Sequence, residues 1–198
     1  GYLSLGANTT GGNNTAIGYQ ALIANTTGTS STALGYGSMY SNTSGSGTAV
    51  GYEALYSQTT SLYNTAVGAR ALRATSTGGR NTAVGYDALY SNTTADYNTA
   101  SGFQALYSNT TGTGNVALGC QALYTNAAAE NTAIGFQAGY SLTTGSYNTA
   151  IGSKALNNAA VTGNYNVAVG HQSGYMNTIG YQNSFLGCHS GYNNTLGN

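Results

Sequence analysis

One phrase copied along the chain constrains its fold more than any other feature: NNTAIGYQAL, STALGYGSM, GTAVGYEAL, NTAVGARAL, NTAVGYDAL and NTASGFQAL follow one another at near-constant spacing. The glycine after the aliphatic residue marks each copy, at Gly18, Gly35, Gly51, Gly68, Gly85, Gly102, Gly119, Gly135, Gly152 and Gly170, 16 to 18 residues apart and most often 17. A unit this short cannot bury a face by itself. Stacked copies share one continuous core, so the repeat predicts a solenoid. Before and after this series the motif is looser, at Gly6, Gly180, Gly187 and Gly197, although Gly170 to Gly187 and Gly180 to Gly197 keep the interval of 17.

The fold class expected is all-β: a parallel β-solenoid, or β-roll, of 17-residue coils with two short strands each, forming a single repetitive domain over 1–198 whose coils over 171–198 are less regular and read as a cap or subunit junction. Composition supports β structure, since Gly, Asn, Thr, Ser, Ala and Tyr favour tight turns and pleated strands, and the 18 Tyr with many Ile, Val and Thr argue against disorder. Coils about 4.8 Å apart would make eleven of them a rod roughly 50 Å long.

Read as columns down the stack, each position has a job. The residue before the marker glycine is aliphatic (Ile17, Leu34, Val50, Val67, Val84, Leu118, Ile134, Ile151 and Val169), interrupted once by Ser101, and is expected to point inward. Period-two alternation puts Thr15, Thr32, Thr48, Thr65, Thr82, Thr99, Thr132 and Thr149 on that inward side. Ala16, Ala33, Ala83, Ala100 and their counterparts then form a smooth opposite face, a place for chains to meet in a homotrimer. Asn14, Asn64, Asn81, Asn98, Asn115, Asn131, Asn148 and Asn166 head the strands and suit amide ladders. Tyr19, Tyr36, Tyr52 and Tyr86 follow the marker, while Tyr40, Tyr56, Tyr90, Tyr107, Tyr124 and Tyr140 mark the next bend, where stacking would join coils.

Only 4% of residues are charged, and Arg70, Arg73, Arg80 and Lys154 balance Glu53, Asp87, Asp96 and Glu130. No basic surface offers itself to phosphates, so nucleic acid is not an expected partner. No apolar run approaches the roughly 20 residues of a membrane-spanning helix, and membrane insertion is not expected. Glu53, Arg70 and Asp87 fall in one column on consecutive coils, a register-setting charge ladder.

The phrases NVAVGHQSG, NTAIGYQAL and NTAVGYDAL resemble the head repeats of trimeric autotransporter adhesins of the YadA-like type, and similar phrases occur in phage tail-fibre and bacterial surface-fibre proteins. The resemblance covers nearly the whole chain and implies a left-handed, normally trimeric β-roll serving as a stiff extracellular rod. The chain departs from that family in its longer coil and in Thr where an aliphatic Val often stands.

Catalytic chemistry is not expected. The four acids are scattered singly where glycan hydrolysis needs a pair, and neither a nucleophile elbow nor a phosphate loop appears. Cys120 and Cys188, 68 residues apart in one column, read as free thiols, and His171 and His189 as turn residues; no catalytic, cofactor or metal site is assigned, and no cofactor. Asn8, Asn25, Asn42, Asn92 and Asn109 match the N-glycosylation acceptor pattern in turns taken to be exposed; turn chemistry explains them first and glycan attachment second.

The function expected is therefore a structural component of an extracellular or cell-surface fibre or filament, or of a phage virion. It would associate with copies of itself, as a homotrimer or head to tail, and adhere to cell-surface or matrix glycans. The alternative is a surface-binding module for carbohydrate or ice on the same rod. Inward-pointing Thr weighs against ice.

Overall fold

Each repeat places its alternating Thr-Ala-aliphatic phrase in one short segment, and among the described residues that segment is the one strand of the coil. The structure, a computed structural model describing residues 1–157 and 161–195, contains β1 (Thr15–Ile17), β2 (Thr32–Leu34), β3 (Gly47–Val50), β4 (Asn64–Val67), β5 (Thr82–Val84), β6 (Thr99–Ser101), β7 (Val116–Leu118), β8 (Thr132–Ile134), β9 (Thr149–Ile151), β10 (Val167–Val169) and β11 (Ser184–Leu186). They form one parallel sheet in chain order, and the register matches the repeat: Thr15 lies beside Thr32, Ala16 beside Ala33, Ile17 beside Leu34. The chain is a parallel β-solenoid with a spacing of about 17 residues, as the repeat predicts. The less regular coils keep the same register, with Val167 beside Ser184 and Val169 beside Leu186; Gly197 lies outside the described residues.

The expected second strand of each coil is absent among the described residues, and its place is taken by turns with alternate residues in the left-handed region. In the coil of β5, Asp87 (φ 56°), Leu89 (φ 51°) and Tyr97 (φ 61°) all have positive φ. A left-handed leucine costs about 1–2 kcal/mol. Bonding to the neighbouring coils offsets it: the Asp87 N–H donates to the Ala69 carbonyl one coil back (3.1 Å), and the Leu89 N–H to the Ala105 carbonyl one coil on (2.9 Å). The side without strands is thus bonded coil to coil as the sheet is.

The two faces of the sheet are the reverse of those expected. Ala33, Ala49, Ala66, Ala83, Ala100, Ala117 and Ala133 are completely buried, whereas Ile17 is 57% exposed and Val84 40%. Threonines of the same column, among them Thr15, Thr32 and Thr82, are exposed with the aliphatic residues, and others such as Thr65 and Thr99 are half-buried. The reason is the width of the interior. The turn side sends Leu22, Leu55, Leu72, Leu89, Leu106 and Leu123 inward, all fully buried, together with the alanine preceding each. A Leu reaching across so narrow a coil leaves room for little more than a methyl group on the strand opposite. The alanine face is therefore core and is not available to other chains.

One exception supports this account. In β11 the core alanine is replaced by Phe185, and opposite it the leucine column holds Gly174 and Gly191, where an added Cβ would lie 2.8 and 2.2 Å from the Phe185 ring. The large and small residues have exchanged sides, which conserves core volume.

The marker glycine fixes how closely coils approach. Gly85 has φ +137°, and a Cβ there would lie 2.5 Å from the Gly102 carbonyl oxygen of the next coil; Gly18, Gly35, Gly51, Gly68 and Gly102 are confined in the same way. Gly85→Ala is expected to destabilise the chain by about 3 kcal/mol through combined clash and backbone strain. Gly12→Ala, with open space around it, should be nearly neutral; urea denaturation of the two variants makes the comparison.

Candidate functional site

Asparagines that appear in sequence to decorate turns are the polar half of the core. At the start of each strand, the Oδ1 of one Asn accepts from the backbone N–H of the Asn one coil on: Asn64 from Asn81, Asn81 from Asn98, Asn98 from Asn115 and Asn131 from Asn148, each at 2.9 Å. Each Nδ2 donates to a carbonyl across the coil, as from Asn81 to Ala95 (2.8 Å) and from Asn98 to Gly112 (2.9 Å). These side chains are 0–1% exposed in Asn64, Asn81, Asn98, Asn115 and Asn131. The expected amide ladder is present, and it lies inside the coil.

The glycosylation candidates form a second such column. Asn25, Asn42, Asn92 and Asn109 are fully buried, their Nδ2 groups donating to the carbonyls of Gly28, Gly45, Ala95 and Gly112. A glycan on those nitrogens is incompatible with the folded coil, which corrects the expectation that these turns expose them. Only Asn8 of the five is exposed, and its Nδ2 donates to Gly11 at 3.0 Å.

The charge ladder is rearranged. Arg70 pairs with Asp87 at 2.8 Å, but Glu53 pairs with Arg73 at 2.7 Å and not with Arg70. Arg73 occupies a tyrosine position, with its guanidinium 5.1 Å from the Tyr56 ring centroid and 5.9 Å from that of Tyr90. Arg80 does likewise in a third column, between Tyr63 and Tyr97 at 5.9 and 5.3 Å. Arg70 bonds the Tyr86 hydroxyl and lies 4.9 Å from that ring's centroid. A planar cation on aromatic faces thus replaces a missing ring in two ladders. The sequence signal was there, since Arg73 and Arg80 each stand where the repeat has Tyr.

The aromatic ladders are runs of stacked rings, interrupted at Ala69 and Cys120 in the outer column. Tyr2, Tyr19, Tyr36 and Tyr52 stack with centroids 5.2–5.5 Å apart on the outside, and Tyr90, Tyr107, Tyr124 and Tyr140 at 5.0–5.2 Å, half-buried, along another edge. Because each ring covers its neighbour's face, a stack presents mainly edges and hydroxyls. A sugar ring binds to an aromatic face, so the geometry weakens the carbohydrate alternative.

At the far end His171 and His189 meet edge to face at 5.6 Å, and His189 Nε2 lies 2.8 Å from Gln172 Oε1. Cys120 and Cys188 are free thiols. Among the described residues there is no pocket and no group of three metal-ligating side chains, and no helix is long and apolar enough to cross a membrane. What the rod offers its surroundings is surface: the Thr and aliphatic columns of the sheet, which face solvent.

Two outcomes follow from these interactions. Asn98→Ala leaves the buried Asn115 N–H without its partner and removes one of the two amide donors on the Gly112 carbonyl, the other being Asn109 Nδ2; it should cost about 2 kcal/mol in urea denaturation, against under about 0.5 kcal/mol for Asn8→Ala. The second concerns Asp87, whose carboxyl burial pushes above the usual carboxylate range while Arg70 pulls it down. With a folded pKa above the unfolded one, its contribution to stability is fully present below the unfolded value and is lost as pH rises through the folded value. The melting temperature should therefore be higher at about pH 4 than at pH 7, and the difference smaller in Asp87→Asn.

Compared with known proteins, the chain matches no family model, no curated protein and no solved structure.

Proposed function

We propose that this chain is a non-catalytic structural rod of an extracellular fibre or filament, built to extend along its own axis. The observation that carries the proposal is the translational repetition of the bonding between coils. Strand ladder, asparagine ladder, aromatic stacks and turn hydrogen bonds all run along one axis, and each coil presents on its upper side what its lower side accepts. A further coil, from the same chain or from another copy, meets the same donors, acceptors and rings. Stability in such an array is approximately a sum of coil and neighbour terms, so length can grow without a new core. The resemblance to YadA-like head repeats and phage-fibre phrases supports the same assignment and the extracellular setting.

A second reading draws on the outward Thr column. A regular, uncharged row of Thr and aliphatic side chains along a parallel sheet suits ordered water, and the expected inward placement of Thr was the objection to ice binding.

Cryo-electron microscopy of the purified chain at micromolar concentration distinguishes the two. Filaments with a repeat near 4.8 Å along the axis and continuous coil density across subunit junctions are expected. Isolated short rods at every concentration, combined with inhibition of ice recrystallisation, would overturn the structural assignment in favour of the second reading.

A further inference from the structure

The outer face of the sheet is where the chain departs most from ordinary burial. Residues that globular sheets bury stand here in solvent: Ile134 is 38% exposed, and Ile17 and Val84 more so, across a sheet of eleven strands. The strands carry no charged residue, so nothing on the face opposes contact with a like surface.

We infer that this Thr and aliphatic face is a lateral interface, and that its occupant is the same face of a second copy of this chain. Area and pitch carry the inference. Ten inter-strand spacings of about 4.8 Å make the face roughly 48 Å long, and the five residues from the strand-heading Asn to the marker Gly span about 13 Å. Its projection is thus about 600 Å², and the accessible area of a corrugated surface is larger, which approaches the roughly 800 Å² per partner of a stable complex. Thr and aliphatic side chains together make it comparable in size to the largest apolar patches of ordinary monomers, roughly 300–600 Å² and often functional.

Pitch then selects the partner. Side-chain rows repeat at every coil, and a surface of the same repeat can interdigitate with them along the full length, as paired sheets do in steric zippers. An unrelated globular surface matches one or two rows and then falls out of step. A second copy matches them all, through the same patch on both partners, which closes as a two-fold pair.

Register is marked as well. Ser101, the one polar residue in the aliphatic column, lies on β6, the sixth of eleven strands. Pairing that brings the two β6 strands together sets Ser101 against Ser101 and aliphatic rows against aliphatic rows. A slip of one coil sets each Ser101 against an aliphatic side chain.

This lateral contact is independent of axial growth, and the test separates them. Val84→Lys with Ile134→Lys places two cations on the face without touching the core, and Thr94→Lys with Thr111→Lys puts the same charge on exposed turns away from the sheet. Mass is measured by sedimentation equilibrium of the full chain at tens of micromolar, with far-ultraviolet circular dichroism confirming the fold of each variant. Wild type and the turn variant are expected as two-chain particles or even multiples of them, and the face variant as single rods, or as single-width filaments where axial growth persists. Wild type that is a single rod or single-width filament overturns the inference, as does a folded face variant that keeps the wild-type mass. If ice recrystallisation is inhibited by single wild-type rods and no longer by the face variant, the face belongs to ice and not to a second copy.

Discussion

The distance between successive coils is the constraint on which the rest of the structure depends. Glycine stacks on glycine so tightly that an added Cβ at Gly18, Gly35 or Gly68 would lie 2.4–2.5 Å from the next carbonyl oxygen. That contact is a packing limit, and it holds the coils at hydrogen-bonding distance around their whole circumference. Tyrosine rings then stack at little more than the strand spacing, asparagine amides reach from coil to coil, and turn amides find carbonyls without a second sheet. One residue type thereby sets the rise, and every other column inherits it.

A bore this narrow also requires an unusual interior. An ordinary core hides polar groups in secondary structure, but a coil with one strand of three or four residues leaves many turn amides and carbonyls facing inward. Buried backbone groups must be paired. The asparagine columns do this: in the strand-heading column a side chain such as Asn98 accepts from the Asn one coil on and donates to a turn carbonyl, and in the second column Asn92 and Asn109 donate to turn carbonyls. The apolar remainder is filled mainly by Ala and Leu, joined by Met39 and Val161, and at β11 Phe185 is exchanged against Gly174 and Gly191 so that the core stays filled.

Much of this was legible in the repeat, and the misreadings share one cause. Period, parallel stacking, register, asparagine ladders and aromatic stacks follow from spacing, because a column in sequence is a column in space. Orientation does not follow from spacing. Alternation places Ala on one side and Val or Ile on the other without saying which side is inside, and the habit of globular sheets points the wrong way. The column itself held a hint: alanine persists through Ala100, whereas the aliphatic column admits Ser101, a substitution that solvent tolerates and a core does not. The absence of a second strand was hidden too. The residues at Leu55, Leu72 and Leu89 have strand-compatible composition and are held left-handed only by burial and coil-to-coil bonds, neither of which a local pattern reveals. Burial of Asn25, Asn42, Asn92 and Asn109 likewise depends on the inside being known.

The scarcity of charge follows from the same stacking. In a solenoid every repeated residue faces a copy of itself one coil away, so a charge written into the repeat becomes a column of like charges. At 4.8 Å each such pair costs about 0.9 kcal/mol in water and about 3.5 kcal/mol at an effective dielectric of 20, multiplied along the rod. Neutral amides avoid the penalty and bond to themselves. In the column that holds Glu53, Arg70 and Asp87, the next three coils carry Gln104, Gln121 and Gln137, joined amide to amide at 3.1 and 3.0 Å. Where charge does occur in that column its sign alternates, and Arg73 and Arg80 stand between aromatic rings. A chain of near-identical coils is thus confined to hydroxyls, amides, rings and small apolar groups, and its low charge is a consequence of its period.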